Sequence, residues 1–224
     1  MEIHWSILFA LEAVGTVAFA SSGAMTAIDK NLDLLGVIVL GVTTAVGGGM
    51  IRDIIIGKVP PSLFVNPIYV LMALVTVLLL FAVIRFHSYL MSGFYRQTYD
   101  KIMNLFDAVG LGAFTVVGID TAVSAGFGDY RFLAVFLGVI TGVGGGILRD
   151  IMADQTPYVL CKHVYACASI AGALLYIALM DLIPADAAMV VCSAVVVLIR
   201  LLAAKYRWNL PRATGKHDKG DDET

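Results

Sequence analysis

The sequence has very little charge for its length. Only 14% of its 224 residues are Asp, Glu, Lys or Arg, whereas 59% are hydrophobic, and the mean hydropathy is +0.88. About a quarter of the residues in an ordinary soluble domain are charged, because its surface faces water. This scarcity excludes a soluble globular fold and predicts an all-α integral membrane protein surrounded by lipid.

Several function classes lack the residues they need. A net charge of −2 offers no basic surface to nucleic acid. The three cysteines and four histidines have neither disulfide nor metal-ligand spacing. No Walker motif is present, and Gly142–Gly146 resembles a dinucleotide fingerprint without the strand that such a site requires. We therefore expect no enzyme, no metal, no cofactor and no nucleic-acid partner.

The hydrophobic residues form seven segments, each long enough for a membrane-spanning helix of about 20 residues. The predicted spans are Trp5–Ile28, Leu32–Ile56, Val65–Ile84, Leu105–Ala125, Phe132–Ala153, Val159–Met180 and Ala185–Ala204. The one long connection, Arg85–Asn104, is polar. The charged residues 205–224 are predicted to be a disordered tail, which leaves residues 1–204 as the transmembrane domain. Most Lys and Arg residues fall on the side of that tail, so the C-terminus is predicted to be cytoplasmic and the N-terminus outside.

Two short motifs occur twice in the chain. The string GGGMIRDI at Gly47–Ile54 recurs as GGGILRDI at Gly144–Ile151, 97 residues later. Upstream of each, Glu12 and Asp107 both precede the tripeptide Ala-Val-Gly, at an offset of 95. Self-similarity at a nearly constant offset indicates an internal repeat.

Each copy of the repeat contains three predicted spans, in residues 5–84 and 105–180. Because three is an odd number, the second copy enters the bilayer from the opposite side, and a pseudo-two-fold axis in the membrane plane relates the two. The span at residues 185–204 is left over. The prediction is seven transmembrane helices, arranged as two inverted three-helix repeats plus one.

A glycine triplet lies in the middle helix of each repeat. The six residues are Gly47, Gly48, Gly49, Gly144, Gly145 and Gly146. Each glycine inside a helix costs about 1 kcal/mol against alanine, so we expect helices two and five to kink or unwind there. Close helix packing is the alternative explanation of a single triplet. Two triplets at equivalent places, each followed by Arg-Asp, favour discontinuous helices that form a transport site at mid-membrane.

Charged side chains within a bilayer are costly and often mark functional sites. The main candidates for an ion pathway, besides the glycines, are Arg52, Asp53, Arg149 and Asp150. Because neighbouring residues on a helix point apart, we predict ion pairs between the repeats, Arg52 with Asp150 and Arg149 with Asp53. The alternative is that these charges only hold the two helices together.

Secondary candidates are the remaining polar residues of the spans. They are Glu12, Asp107, Asp120, Thr44 and Thr141. Glu12 and Asp107 are a repeat pair that could either cap helices or line a pore, and each threonine could bond only to its own helix. Tyr69 and Tyr165 fall near predicted interfaces and are interpreted as aromatic anchors.

The doubled Gly-Gly-Gly-x-x-Arg-Asp motif, in a pattern of three plus three plus one spans, resembles the prokaryotic branch of the trimeric intracellular cation (TRIC) channels. The likeness covers roughly residues 5–204. It implies a homotrimer in the inner membrane of a prokaryotic cell. Each protomer would hold an hourglass pore between helices two and five, kinked at the glycine triplets. The pore would conduct monovalent cations, chiefly potassium, so potassium or sodium is the expected permeant ion.

Three functions stay open. In a passive potassium-permeable channel, Asp53 and Asp150 would bias the field toward cations, while Arg52 and Arg149 would hold these aspartates or act as a movable plug. A secondary transporter of a small zwitterion such as glycine would use the same site, with the arginines binding the carboxylate. A structural scaffold is the weakest hypothesis, because buried charge is costly.

Overall fold

The computed structural model of the protein describes residues 2–87, 95–161 and 164–208. All regular structure in these ranges is helical. The α-helices are α1 (Glu2–Asp29), α2 (Leu34–Ile55), α3 (Ser62–Val65), α4 (Ile68–His87), α5 (Tyr95–Ala122), α6 (Arg131–Met152), α7 (Tyr158–Cys161), α8 (Tyr165–Leu179) and α9 (Ala185–Tyr206). A π-helical segment, Val123–Phe127, follows α5. Most of the predicted tail, residues 209–224, lies outside the described residues.

Six of the described helices are long and apolar enough to cross a bilayer, namely α1, α2, α4, α5, α6 and α9. Helix α8 is apolar but has only 15 residues, or about 22 Å at 1.5 Å per residue, which is less than the hydrocarbon core of about 30 Å. The segment Val159–Met180 is not one regular helix, because Val164 adopts a left-handed conformation (φ 49°) just before α8. That this segment forms a seventh span stays a prediction. The chain is a multi-pass membrane protein.

The polar connection predicted at Arg85–Asn104 is largely helical. Helix α4 continues to His87, and α5 begins at Tyr95, ten residues before the predicted start of span four. Helix α9 likewise runs into the predicted tail, as far as Tyr206. Hydrophobicity marks only the lipid-facing part of a helix, because an α-helix satisfies its own backbone hydrogen bonds in water as well as in lipid.

The same order of elements occurs twice. Two long helices, a four-residue helix and a third apolar helix make up α1–α4, and α5–α8 repeat that order. Helices α1 and α5 pack against each other and against the middle helix of their own half, while α2 and α6 touch each other. Helix α9 has no counterpart and packs mainly against α5 and α8.

The outer faces of the helices are apolar. Helix α4 exposes a stripe of every fourth residue, with Leu71, Val75, Leu79 and Val83 each more than half exposed. Residues at this spacing share one face of an α-helix. Lipid tails are as apolar as leucine, so this face suits contact with the bilayer.

Both glycine triplets lie within uninterrupted α-helix. The expected unwinding of helices two and five is therefore wrong. A Cβ atom at Gly48 would overlap the carbonyl oxygen of Thr141, and one at Gly145 would overlap that of Thr44. The glycines thus let two backbones touch, which confirms close packing as the explanation of the triplets. A bend of either helix axis stays a prediction.

Candidate functional site

The contacts between α2 and α6 are reciprocal. A Cβ atom at Gly47 would overlap the side chain of Leu148, and one at Gly144 would lie 3.4 Å from the side chain of Ile51. Gly47 corresponds to Gly144 and Ile51 corresponds to Leu148 at the offset of 97 residues, so the two contacts are equivalent. Gly47, the earlier residue in α2, meets Leu148, the later residue in α6, and Ile51 of α2 meets the earlier Gly144 of α6. The two helices therefore run antiparallel where they touch.

Arg52 and Asp53 form an ion pair near the C-terminal end of α2. The Nε and Nη2 atoms of Arg52 donate to Oδ1 of Asp53 at 2.9 and 2.7 Å. The other carboxylate oxygen, Oδ2, accepts a hydrogen bond from the backbone N–H of Ser62 at 2.7 Å. Ser62 is the first residue of α3, so Asp53 ties the end of α2 to the following short helix.

The second half repeats this arrangement. The Nε atom of Arg149 donates to Oδ1 of Asp150 at 2.8 Å, and Oδ2 accepts from the backbone N–H of Tyr158, the first residue of α7, at 2.7 Å. All four motif side chains are buried. Each aspartate has both of its oxygens engaged by its own half of the protein.

The ion pairs predicted between the repeats are therefore wrong. An arginine side chain is long enough to fold back to the neighbouring carboxylate, although the two Cβ atoms point apart. In addition, the glycines in contact, Gly48 and Gly145, each lie four residues before the arginine of their own helix. In antiparallel helices these arginines lie on opposite sides of the contact, each about 6 Å along its axis.

Each motif is accompanied by an acid and a tyrosine from its own half. The Tyr69 hydroxyl donates to Oε2 of Glu12. Asp107 and Tyr165 are the counterparts, and a Cβ atom at Gly146 would lie 3.1 Å from the Tyr165 hydroxyl and 3.8 Å from Oδ1 of Asp107. We call Glu12, Arg52, Asp53 and Tyr69 the first cluster, and their counterparts Asp107, Arg149, Asp150 and Tyr165 the second cluster.

The interpretation of the two tyrosines as interfacial anchors overlooked these contacts. Tyr165 is only 3% exposed, and Tyr69 is half-buried against Glu12. The signal that could have found them is the repeat itself, because the two tyrosines are 96 residues apart. That separation lies between the offsets of the two repeated motifs.

The second cluster is sealed from solvent. The Nη1 atom of Arg149 donates to Oδ1 of Asp107 at 2.7 Å and also to the hydroxyl of Ser22. Arg149 is 1% exposed, and Asp107 is fully buried. Arg149 therefore bridges two buried carboxylates, Asp107 and Asp150.

Arg200 of α9 closes the second cluster from outside the repeat. Its guanidinium carbon lies 4.5 Å from the centroid of the Tyr165 ring, and its Nη2 atom lies 3.9 Å from Oδ2 of Asp107. The side chain is 2% exposed. The sequence analysis did not select Arg200, although it is the one charged residue in positions 187–204 of an otherwise apolar helix.

The first cluster opens into a cavity of about 150 Å³. Four charged side chains line it, Glu12, Arg52, Asp53 and Lys58. Thr141 of α6 also belongs to the lining, and its carbonyl oxygen faces Gly48. The cavity therefore extends as far as the contact between α2 and α6.

The remaining candidates have local partners. Thr44 and Thr141 each donate to the carbonyl four residues earlier in their own helix, at 2.6 Å, which is the alternative stated for them. Asp120 is buried and lies outside the cavity lining. The structure thus brings Glu12, Gly49, Arg52, Asp53 and Thr141 to one cavity, and Asp107, Gly146, Arg149 and Asp150 to one buried group.

Solved structures share this fold over nearly the whole chain. One, described in work on conductance through TRIC cation channels, is 36% identical with a TM-score of 0.78, and covers 92% of this chain and 96% of its own. The TRIC trimeric intracellular cation channel orthologue from Rhodobacter sphaeroides is 30% identical with a TM-score of 0.80, covering 91% of this chain and 100% of its own. The chain belongs to the prokaryotic TRIC family. The resemblance stated from the doubled motif is confirmed.

Sequence comparison agrees with this placement in the TRIC family. The UPF0126 inner membrane protein YadS of Escherichia coli strain K12 is 36% identical over 213 residues, which is 94% of this chain and 96% of that protein. The family described as Glycine transporter matches residues 9–85 and again residues 104–181. The TRIC relatives are described as channels and membrane proteins, not as enzymes.

Proposed function

We propose that this protein is a passive channel for monovalent cations, potassium among them, with a pathway between α2 and α6 of a single protomer. The observation that carries the proposal is the cavity of the first cluster, which reaches the contact between these two helices and is lined by carboxylates and hydroxyls. The TRIC structures are described as cation channels, which supports the same function.

The two clusters suggest the course of the pathway. The cavity would be a water-filled vestibule on one side of the contact, and the second cluster would close the other side. Conduction then requires Arg149 to move away from Asp107, because their ion pair is fully buried. In this proposal Arg149 is the movable plug, whereas Arg52 holds Asp53.

The aspartates of the motif have a positioning role in this mechanism. Both oxygens of Asp53 are bound by Arg52 and by the backbone N–H of Ser62, and Asp150 is bound in the same way. Their charges are neutralised locally. The field that favours cations therefore has to come from another carboxylate.

The proposed topology is two inverted repeats plus α9, with the N-terminus outside the inner membrane and the C-terminus in the cytoplasm. The reciprocal, antiparallel contacts of α2 and α6 support the inversion. We propose a homotrimer because the Rhodobacter sphaeroides orthologue is described as a trimeric channel. Labelling of single cysteines at Asn31 and Trp208 in whole cells tests the orientation, and the mass of the detergent-solubilised protein tests the trimer.

A secondary transporter of a small zwitterion such as glycine is the competing function. The family description favours it, and the first cluster offers both an arginine and a carboxylate to such a substrate. Against it, two nitrogens of Arg52 are already bound by Asp53, which leaves less of the guanidinium for a substrate carboxylate. The solved relatives also favour the channel.

Two measurements on the purified protein separate these functions. In a planar bilayer with a potassium chloride gradient, we expect unitary currents that reverse near the potassium equilibrium potential. In liposomes, we expect no saturable uptake of labelled glycine. Electrical silence together with saturable glycine uptake would show that the protein is a transporter.

A further inference from the structure

The charges around the cavity are not equally available to a permeant ion. Arg52 and Asp53 neutralise each other through two hydrogen bonds, and the backbone of Ser62 binds the second oxygen of Asp53. Lys58 is exposed, so solvent and salt screen its charge. Glu12 is the remaining charged residue of the lining.

Glu12 keeps one oxygen available for a ligand. Its Oε2 atom accepts from the Tyr69 hydroxyl, and among the described residues this hydroxyl is its one hydrogen-bond donor. The side chain is half-buried and lines the cavity. The Tyr69 contact orients the carboxylate through Oε2, and Oε1 accepts no hydrogen bond from any described residue.

Asp107, the counterpart of Glu12, differs from it because an arginine binds its carboxylate. Asp107 is fully buried and accepts from Arg149 at 2.7 Å. In the first cluster, the hydrogen bonds of Arg52 go to Asp53. The two halves thus place an acid at the same position but leave only the acid of the first half free of an arginine hydrogen bond.

The rest of the lining offers oxygen atoms, which are the ligands that alkali cations take in place of water. Thr121 and Thr141 donate their hydroxyl protons to carbonyls of their own helices at 2.8 and 2.6 Å. Their oxygens can therefore only accept, or coordinate a cation, on the cavity side. A cavity of about 150 Å³ holds roughly five water molecules at about 30 Å³ each, so a cation there keeps part of its hydration shell.

We propose that Glu12, oriented by Tyr69, binds the permeant monovalent cation in this cavity and gives the pathway its preference for cations over anions. This inference rests on the proposed channel function. Glu12 is the binding residue, and Tyr69 is a positioning residue that acts through it.

The first test is the reversal potential of Glu12→Gln in a potassium chloride gradient. We expect the ratio of cation to anion permeability to fall by about tenfold or more, because a full negative charge within a few ångströms of the ion is lost. Glu12→Asp keeps the charge and should keep the preference. Asp181→Asn, an exposed acid outside the cavity, is the control and should match wild type.

The second test does not depend on conduction. Potassium that binds the folded protein but not the unfolded chain raises the melting temperature, because the stabilisation grows as RT ln(1 + [K⁺]/Kd). We expect wild type to melt at a higher temperature in potassium chloride than in choline chloride, and Glu12→Gln to lose this difference. Asp107→Asn should melt at a lower temperature in both salts and retain the difference, because its site is structural.

The outcomes separate the site from the function. Unchanged permeability ratio and unchanged potassium-dependent melting in Glu12→Gln would overturn the proposal. A wild type that does not conduct, but whose potassium-dependent melting is lost in Glu12→Gln, would keep the cation site and refute the channel. If Glu12→Gln does not fold, Tyr69→Phe replaces it, with weaker stabilisation by potassium as the expected result and wild-type stabilisation as the contradicting one.

Discussion

The first and second clusters contain the same motif and the same tyrosine, yet their surroundings differ. In the first cluster, Arg52 has the neighbouring aspartate as its one hydrogen-bond partner within the described ranges, and it faces a cavity. In the second, Arg149 bridges Asp107 and Asp150 and is 1% exposed. An identical pair of buried residues can therefore line a cavity in one half of a protein and be enclosed by further charged residues in the other.

The difference arises from the helix that the repeat does not duplicate. Helix α9 packs against α5 and α8, both in the second half, and adds Arg200 next to Asp107 and Tyr165. A second contribution comes from the shorter acid, because Asp107 pairs directly with Arg149 where Glu12 reaches Tyr69 instead. Both halves thus contain the same charged motif, and α9 covers only the motif of the second half.

The largest difference between the two clusters is expected when the arginine of each is replaced in turn. Arg149→Met leaves two buried carboxylates without their shared partner, so we expect a loss of about 3–5 kcal/mol in the free energy of unfolding. Arg52→Met should cost about 1–3 kcal/mol, since the cavity can hydrate Asp53. Unfolding by denaturant in detergent measures both values. Equal losses would show that the two clusters are equivalent after all.

The contact between α2 and α6 should respond in the same way from both halves. Gly48→Ala and Gly145→Ala each force a methyl group onto a carbonyl oxygen, and we expect each to cost about 1–3 kcal/mol. Gly49→Ala is the matched control, because its Cβ atom would have one ordinary contact at 3.7 Å and alanine favours the helix. Melting temperatures test this, and a control as unstable as the other two variants would contradict it.

Arg200 tests the role of the unrepeated helix. Arg200→Met removes the contact with Asp107 and the cation–π contact with Tyr165, and we expect a cost of about 1–2 kcal/mol. In the proposed channel, the closed side of the pathway would lose one of its two arginines, so the open probability in planar bilayers should rise. Lys205→Gln, on the exposed end of the same helix, is the control. An open probability equal to that of wild type would show that Arg200 does not help to close the proposed pathway.

The smallest effect is expected for an ion pair outside both clusters. Arg131 and Asp181 lie 3.0 Å apart, with both side chains 61% exposed. Exposed pairs contribute at most about 1 kcal/mol, so Arg131→Ala should change the free energy of unfolding by less than that. This value sets the baseline for the buried arginines. A larger loss would mean that burial does not explain the difference between the pairs.

The sequence predicted the class of fold and the residues of the motif, because both depend on pattern. A hydrophobic composition with a doubled motif is sufficient to indicate a multi-pass helical protein of the TRIC family, and the offset of 97 residues between the two motifs locates the two middle helices. The hydrophobic pattern could not predict where α8 begins or how long it is. Helix α8 begins only after the left-handed Val164, and hydrophobicity does not report the backbone conformation of a single residue.

The partners of the charged residues could not be predicted for a different reason. The rule that adjacent helical residues point apart describes Cβ directions, whereas Arg52 reaches Asp53 through a long side chain. The glycine triplets were misjudged because their cost in an isolated helix was weighed without the neighbour that they admit. Whether Gly48 unwinds or packs depends on Thr141, which is nearly a hundred residues away in the chain.

The touching backbones at Gly48 and Gly145 have a consequence for inhibitor design. A small molecule aimed at that contact would meet mainly main-chain atoms and a few apolar side chains, which offer little to discriminate between relatives. The cavity beside Glu12 and Tyr69 offers a carboxylate, a phenol and several hydroxyls. A selective blocker of the proposed channel therefore has more to recognise in this cavity than at the contact between the two helices.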